Sequence, residues 1–230
     1  MNGLFASSAT IGVVISLIGY YIGVLLKKKF KSGILNPLLI SIILVIIFLV
    51  VTKTEYQNFN ASAKYLSWLL TPATVSLAIP LYTELDRLKK NIRAIAISIT
   101  VGTVVSLVCI LVMSMLFHLT HEQYVTFLPK SITTAIGMSV SEEMGGVVSI
   151  TVAAIIVTGI FGNVAGETVF KIFRITEPVA KGLALGTSAH AIGTSKAMEL
   201  GEVEGAMSSL SIVTAGILTV ILANVFGMFL

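Results

Sequence analysis

The sequence contains a single cysteine, Cys109, and few charged residues. With only one cysteine in 230 residues no intrachain disulfide can form, and because Cys109 lies inside an apolar run we expect a buried, unreactive thiol. Charged residues make up 11% of the chain and hydrophobic residues 56%, so most of the chain cannot face water. The polar stretches reach only about a dozen residues, which is too short for a soluble domain with its own core.

Motifs of enzyme active sites are also missing from the sequence. It has no Cys/His pattern with metal-ligand spacing, no phosphate-binding loop with Lys followed by Ser or Thr, and no nucleophile elbow. We therefore expect no enzyme activity, no metal and no cofactor. The net charge of +4 comes from short loops between apolar runs, so it gives no reason to expect a nucleic acid as partner.

The apolar runs predict an all-α protein that crosses the membrane several times. A membrane barrel would show short alternating strands, whereas these runs are continuous and about long enough for a helix to cross the bilayer. No basic region precedes the first run, so we interpret it as a retained span and not as a cleaved signal. The seven predicted spans lie near residues 5–26, 34–52, 65–82, 94–117, 146–165, 182–199 and 206–229.

Basic residues predict how these spans are oriented. Clusters at 27–31, 87–93 and 171–181 fall on one side of the membrane, and by the positive-inside rule that side is the cytoplasm. The prediction places the N-terminus outside the cell and the C-terminus in the cytoplasm.

The same arrangement predicts an inverted repeat of three spans after one leading span. The middle span of each triplet is interrupted by polar or helix-breaking residues, and paired broken spans indicate a transport site near the bilayer midplane. We interpret residues 1–230 as a single membrane domain in four parts: a first span and basic loop at 1–33, repeat 1 at 34–118, a connecting interfacial or re-entrant helix at 119–145, and repeat 2 at 146–230.

The first broken segment covers residues 69–82. Pro72 cannot donate to the carbonyl four residues back and its ring clashes there, so we expect the helix to open near 69–71 and restart afterwards. The restarted helix exposes backbone N–H groups that favour a carboxylate. The hydroxyl residues here could instead bond to the carbonyls of the preceding turn. The candidate binding residues are Thr71, Pro72, Thr74 and Ser76.

The second broken segment covers residues 182–197, where Gly186 and Gly193 bracket His190. His190 could bind substrate or act as a proton-coupled switch, or it could be a packed neutral imidazole bonded to a neighbouring helix. Lys196 could bind a carboxylate directly or pair with Glu199. We expect Thr194 or Ser195 to cap a restarted half-helix. The candidate binding residues are Thr187, Ser188, His190, Gly193, Thr194, Ser195 and Lys196.

A third polar group, between the two repeats, contains Lys130, Ser131, Thr133 and Thr134. An ammonium group, hydroxyls and a helix N-terminus together suit a carboxylate, although Lys130 could also be an anchor at the lipid headgroups. We predict one helix over 128–146 with Pro129 near its first turn.

Four other polar residues are not expected to form sites. We interpret Asn163 and Glu167 as helix packing and an interfacial charge, and Glu202 and Glu204 as part of a solvated outer loop.

The sequences of the three polar segments resemble the LrgB/CidB family of bacterial membrane proteins. They read TPATVSLAIPLY at 71–82, LPKSITT at 128–134 and GTSAHAIGTSKA at 186–197, and the resemblance covers nearly the whole chain. It implies a smaller membrane partner of the LrgA/CidA type. It also implies one of two roles: transport of small carboxylates such as pyruvate, glycolate or glycerate, or a holin/antiholin-like effect on murein hydrolase activity and autolysis.

The residues favour transport over a pore. Polar side chains are concentrated in the broken segments and form no long hydrophilic stripe along any span. We therefore expect a carrier for small monocarboxylates, with the antiholin-like role and a non-transporting regulator of the partner as alternatives. Seven spans in a short chain offer little scaffold, so we expect a homodimer, a higher oligomer or a complex with the partner.

Overall fold

The computed structural model describes residues 8, 10–30, 35–76 and 78–230. These residues form eleven helices and, within those ranges, no strand. Residues 5–7, 9, 34 and 77 of the predicted spans, and Lys31 of the first basic cluster, lie outside the described residues. Contacts divide the chain into two compact units, Met1–Ser76 and Leu77–Leu230.

The first unit contains four helices. Helix α2 begins after Asn36 because the Asn36 side-chain oxygen accepts hydrogen bonds from the N–H groups of Leu38 and Leu39, and Pro37 occupies the first helical position. It ends at Lys53, which has a left-handed backbone with φ of 49°. The four helices are α1 (Ile11–Phe30), α2 (Pro37–Thr52), α3 (Tyr56–Trp68) and α4 (Leu70–Ser76).

Small residues let α1 approach α2 and α3 closely. The N–H of Gly12 donates to Ser62 Oγ at 3.1 Å, and Ser41 Oγ donates to the carbonyl of Ser16 at 3.2 Å. A side chain at Gly12 would collide with the backbone of α3, so glycine is required there for this spacing.

The second unit contains the other seven helices. Helix α7 begins at a capping box in which the Thr120 hydroxyl accepts from the N–H of Gln123 and the Gln123 side chain accepts from the N–H of Thr120. Pro178 fills the first position of α10. The helices are α5 (Ala78–Thr83), α6 (Leu85–Leu116), α7 (His121–Phe127), α8 (Thr134–Glu143), α9 (Val148–Ile172), α10 (Pro178–Leu200) and α11 (Glu202–Phe226).

Four helices in the described part of the chain are long and apolar enough to cross a membrane: α1, α6 from Leu88, α9 and α11. Helix α2 is also apolar but has 16 residues. Large apolar side chains point outward along these helices, for example Val112, Val157 and Ile221, each more than half exposed. Such a surface is rare on soluble proteins and suits contact with lipid. The chain is therefore a multi-pass helical membrane protein.

The seven predicted spans differ from the observed helices in several places. Residues 65–82 form parts of three short helices, α3, α4 and α5, and α3 ends at Trp68, where the first break was expected. Helix α6 begins at Leu85, before the predicted start at residue 94, and α9 continues to Ile172. The arrangement of seven spans as an inverted repeat stays a prediction.

The prediction of one connecting helix over 128–146 is wrong. Two helices, α7 and α8, flank a non-helical link at 128–133 that contains Pro129. Because Pro129 has no N–H to continue the α7 hydrogen bonds, α7 ends before it and α8 starts only at Thr134. The chain leaves α8 through Gly145, which has φ of +79°, and Gly146.

Two further expectations are wrong. Cys109 is exposed, because α6 turns Leu107 and Ile110 toward the core and Cys109 to the opposite side. Glu204 is 8% exposed and is not in a solvated loop, because it lies on the face of α11 that packs against Gly182 of α10.

Helix α10 packs between α9 and α11 through glycines on both sides. Gly159 and Gly162 of α9 contact His190 and Ala189 of α10, and Gly186 of α10 contacts the backbone carbonyl of Ser208 in α11. Because glycine has no side chain, the three helices lie close together around the predicted second broken segment.

Candidate functional site

A cavity of about 820 Å³ lies in the second unit, between α6, α9, α10 and the link between α7 and α8. Its walls are mainly apolar, with Val101 and Phe161 among them. A small number of polar groups in an apolar cavity is typical of ligand sites. The polar lining residues are Ser98, Ser106, Lys130, Ser131, Thr158, Thr187 and Ser188.

Lys130 is the one lysine among the described residues that line this cavity. Its Nζ donates to Ser131 Oγ at 3.1 Å, and Ser131 Oγ lies 3.0 Å from Ser106 Oγ on α6. Within the described residues, no carboxylate lies at ion-pair distance from Lys130. Burial lowers the pKa of the Lys130 ammonium, which lies in the link and outside the spanning helices. A carboxylate in the cavity would supply the missing counter-charge.

Two residues of the second broken segment face the same cavity. Ser188 Oγ donates to the carbonyl of Ala184 at 2.7 Å, a bond to the preceding turn that is common for hydroxyls in helices. Thr187 is 7% exposed, and its Oγ1 has no hydrogen-bond partner among the described residues. The Thr187 hydroxyl is therefore a buried group whose hydrogen-bonding capacity is unused among the described residues.

The predicted interruption of α10 is confirmed between Gly186 and Gly193. Ala189 (φ −132°, ψ 16°) and His190 (φ 43°, ψ −137°) leave the helical conformation. A side chain at Gly193 would contact the carbonyl of Leu185, so this glycine is needed where the two halves of α10 meet.

The His190 ring turns away from the cavity lining. It is 3% exposed, and its Nε2 lies 2.9 Å from the carbonyl oxygen of Ile155 on α9. Because a carbonyl only accepts, Nε2 carries the hydrogen. This is the packed neutral imidazole that the sequence allowed as an alternative. Its hydrogen bond connects the interruption of α10 to α9.

The expected cap of the restarted half-helix is wrong. Thr194 is buried, and its hydroxyl donates to the carbonyl of His190 at 3.0 Å while Ser208 Oγ lies 2.7 Å away on α11. A cap would instead accept from backbone N–H groups, and Ser195 is exposed. Thr194 lies inside the restarted half because the break falls earlier, at His190.

Lys196 forms ion pairs with two glutamates. The predicted partner Glu199 lies 3.2 Å away, and the second partner is Glu167 of α9. Glu167 also approaches Lys171 at 3.9 Å. With two carboxylates on its ammonium, Lys196 links α9 to α10 and does not line the cavity.

Asn163 was predicted to contribute to helix packing and Glu167 to be an interfacial charge, and the sequence did not identify their partners. Asn163 Nδ2 donates to the carbonyl of Ile192 at 2.9 Å, just after the break in α10. The two residues are four apart and therefore lie on one face of α9. This spacing was the available signal that both contact the same neighbouring helix.

The other predicted residues lie elsewhere. Thr133 and Thr134 are half-buried at the start of α8 and do not line the cavity. Pro72 is exposed in the first turn of α4, and Ser76 Oγ donates to the carbonyl of Ala73 at 2.7 Å. The side chains of Thr71 and Thr74 lie outside the described residues. The expected meeting of the two broken segments stays a prediction.

Comparisons with known proteins point to one family. The model of the LrgB-like family matches residues 16–229. Proteins called "Antiholin-like protein LrgB" from Bacillus mycoides (strain KBAB4), Bacillus cereus (strain B4264) and Bacillus anthracis (strain CDC 684 / NRRL 3495) are each 39% identical over 220 residues. The alignments cover 95% of this chain and 96% of each relative. No solved structure matches the chain.

Proposed function

The chain belongs to the LrgB-like family, and we propose that it carries small monocarboxylates, of the pyruvate, glycolate or glycerate class, across the bacterial cell membrane. One observation supports this proposal more than any other. The ammonium of Lys130 lines a mainly apolar cavity and has no carboxylate partner among the described residues.

The cavity offers the donors that a carboxylate requires. The Lys130 ammonium has three N–H donors, of which Ser131 accepts one, so two remain for a carboxylate. In apolar surroundings this pairing is stronger than in water, and the anion offsets the cost of the buried ammonium. Binding and release need no covalent step, so the proposal includes no enzyme activity and no cofactor.

A second candidate is an antiholin-like role, and the names of the relatives support it more directly than they support transport. In this role the chain modulates murein hydrolase activity and autolysis together with a small membrane protein of the LrgA/CidA type. We propose the same partner, and a homodimer or higher oligomer, for either role.

Uptake into proteoliposomes of the purified protein separates the two roles. Labelled pyruvate and glycolate are supplied with and without the small partner, beside a leak assay with an unrelated neutral dye. Saturable and competable carboxylate uptake without dye leakage supports a carrier. Dye leakage without saturation supports a holin-like pore and contradicts the first proposal.

If neither solute enters even with the partner present, the carrier proposal is wrong. The antiholin-like role is then tested in cells, by comparing autolysis and murein hydrolase activity with the gene present and deleted. An unchanged autolysis rate would count against that role as well.

A further inference from the structure

Two buried threonine hydroxyls on neighbouring helices share an unusual property. Thr103 on α6 is 3% exposed and Thr187 on α10 is 7% exposed. In the described part of the chain, neither Oγ1 atom has a hydrogen-bond partner. Buried hydroxyls without partners are costly, and nearly all of them in native proteins bind protein atoms or ordered water.

Both hydroxyls line one small pocket beside the large cavity. The pocket has a volume of about 10 Å³ and lies between α6, α10, α11 and the link at 128–133. Ser106 and Ser131 line it as well and also line the large cavity. About 10–15 Å³ is enough for one water molecule, which needs two to four polar partners.

A hydrogen-bonded chain leads from Lys130 to this pocket. The Lys130 ammonium can only donate, so Ser131 accepts from it at 3.1 Å. Ser131 can then donate its own hydrogen to Ser106, which lies 3.0 Å away. In this arrangement the hydrogen of Ser106 can be donated to a water in the pocket, and the water would in turn donate to Thr103 and Thr187.

We propose that this pocket binds one water molecule, held by Thr103 and Thr187 between α6 and α10. A cation is excluded because the Lys130 ammonium is close and no carboxylate is among the described lining residues. The water joins α6 to the turn of α10 that precedes the break at Ala189. This proposal does not depend on transport.

A double-mutant cycle with Thr103→Val and Thr187→Val tests the site, because valine keeps the shape of threonine and removes the hydroxyl. Each single variant should lower the apparent Tm by about 2–4 °C, since the water loses a partner and the other hydroxyl is left without one. The double variant should lower it by less than the sum. Thr103→Ser, which keeps the hydroxyl, should stay close to the natural protein.

Thr100→Val is the matched control. Thr100 lies about one turn before Thr103 on α6, is exposed, and donates to the carbonyl of Ala96 at 2.8 Å. Its substitution should move Tm much less than Thr103→Val.

An increase in Tm in the single valine variants would overturn the proposal. If the two hydroxyls bind nothing, each valine removes an unsatisfied polar group, so each single variant raises Tm and the effects add. If the changes in Tm differ between chloride and gluconate buffers, the pocket binds an anion and not a water molecule. An experimental density map at high resolution should show one peak within hydrogen-bonding distance of both Oγ1 atoms, and a map without it would also overturn the proposal.

Discussion

His190 donates from Nε2 to the carbonyl oxygen of Ile155 at 2.9 Å, and so connects the interruption of α10 to the N-terminal half of α9. The backbone of His190 has φ of 43°, in the left-handed region that residues other than glycine rarely adopt. One residue thus combines a strained backbone with a buried hydrogen bond.

Substitution of His190 should change stability more than affinity for substrate, because the ring does not line the cavity. We expect His190→Ala to lower the free energy of unfolding by about 1–3 kcal/mol, through the lost hydrogen bond and packing. His190→Gly should cost less, since glycine relieves the strain at φ of 43°. Thermal unfolding in detergent measures both. If His190→Ala has the same unfolding temperature as the natural protein, the hydrogen bond does not stabilise the interruption of α10.

Removal of the Lys130 charge should weaken carboxylate uptake. A charge-assisted hydrogen bond contributes about 1.5–3 kcal/mol, so Lys130→Met should raise KM by about tenfold to a hundredfold. The matched control is Lys171→Met, because the Lys171 side chain is 80% exposed and lies outside the cavity lining. Equal KM values for the two variants would exclude Lys130 from the site.

The affinity for carboxylates should also depend on pH. Burial lowers the pKa of Lys130, so its positive charge is lost at a lower pH than that of an exposed lysine. Affinity should be high below this lowered pKa and fall as pH rises through it. The free energy of unfolding should change in the opposite direction, because between the folded and unfolded pKa values the unfolded chain binds more protons.

Uptake measured from about pH 6 to about pH 10 tests this dependence. Lys130→Arg serves as the control, since arginine stays charged over that range. A decline of the same size in Lys130→Arg would show that a different group titrates.

A single methyl group at Gly186 should disrupt the contact between α10 and α11. The added Cβ would collide with the backbone carbonyl of Ser208, which cannot move aside easily, so we expect Gly186→Ala to cost about 1–3 kcal/mol. At Gly216 an added Cβ meets only the flexible end of Ile136 at 3.1 Å. Gly216→Ala should therefore be near neutral, and equal Tm values for the two variants would contradict this packing.

The orientation of the chain can be measured by labelling single cysteines from each side of the membrane. The seven-span scheme places Lys89 inside and Lys130 outside. Because Cys109 is exposed, the substitutions Lys89→Cys and Lys130→Cys need a Cys109→Ser background. Labelling from opposite sides supports the inverted repeat, and labelling of both positions from one side refutes it.

The sequence predicts the position of the break in α10 but not its partners. Glycines at 186 and 193 and the polar residues between them weaken a helix wherever they occur, so the interruption is a local property. The bond to Ile155 joins residues 35 positions apart and depends on how α9 packs. Sequence reasoning therefore identified His190 as important and left its orientation open.

The candidate site was also predicted in part. Lys130 and Ser131 were expected to form a polar group, and the structure adds Ser106, which looked like an ordinary hydroxyl in an apolar span. Thr133 and Thr134 are close to Lys130 in sequence, but they lie at the start of α8 and do not line the cavity. Lys130 and Ser131 are neighbours in sequence and could be predicted together. Ser106 joins them only because α6 packs against the link that contains them.

Helix α10 is not among the described helices that are apolar enough to cross a membrane alone, and Gly201 is the only residue between it and α11. A ribosome-bound chain would therefore gain little by releasing α10 into lipid before α11 has been synthesised. If α10 and α11 enter the membrane together as a helical hairpin, the apolar helix α11 offsets the cost of inserting the more polar α10. The glycine contacts between the two helices then form during insertion. We therefore expect α10 and α11 to enter the bilayer together, and a chain truncated before α11 should insert α10 poorly.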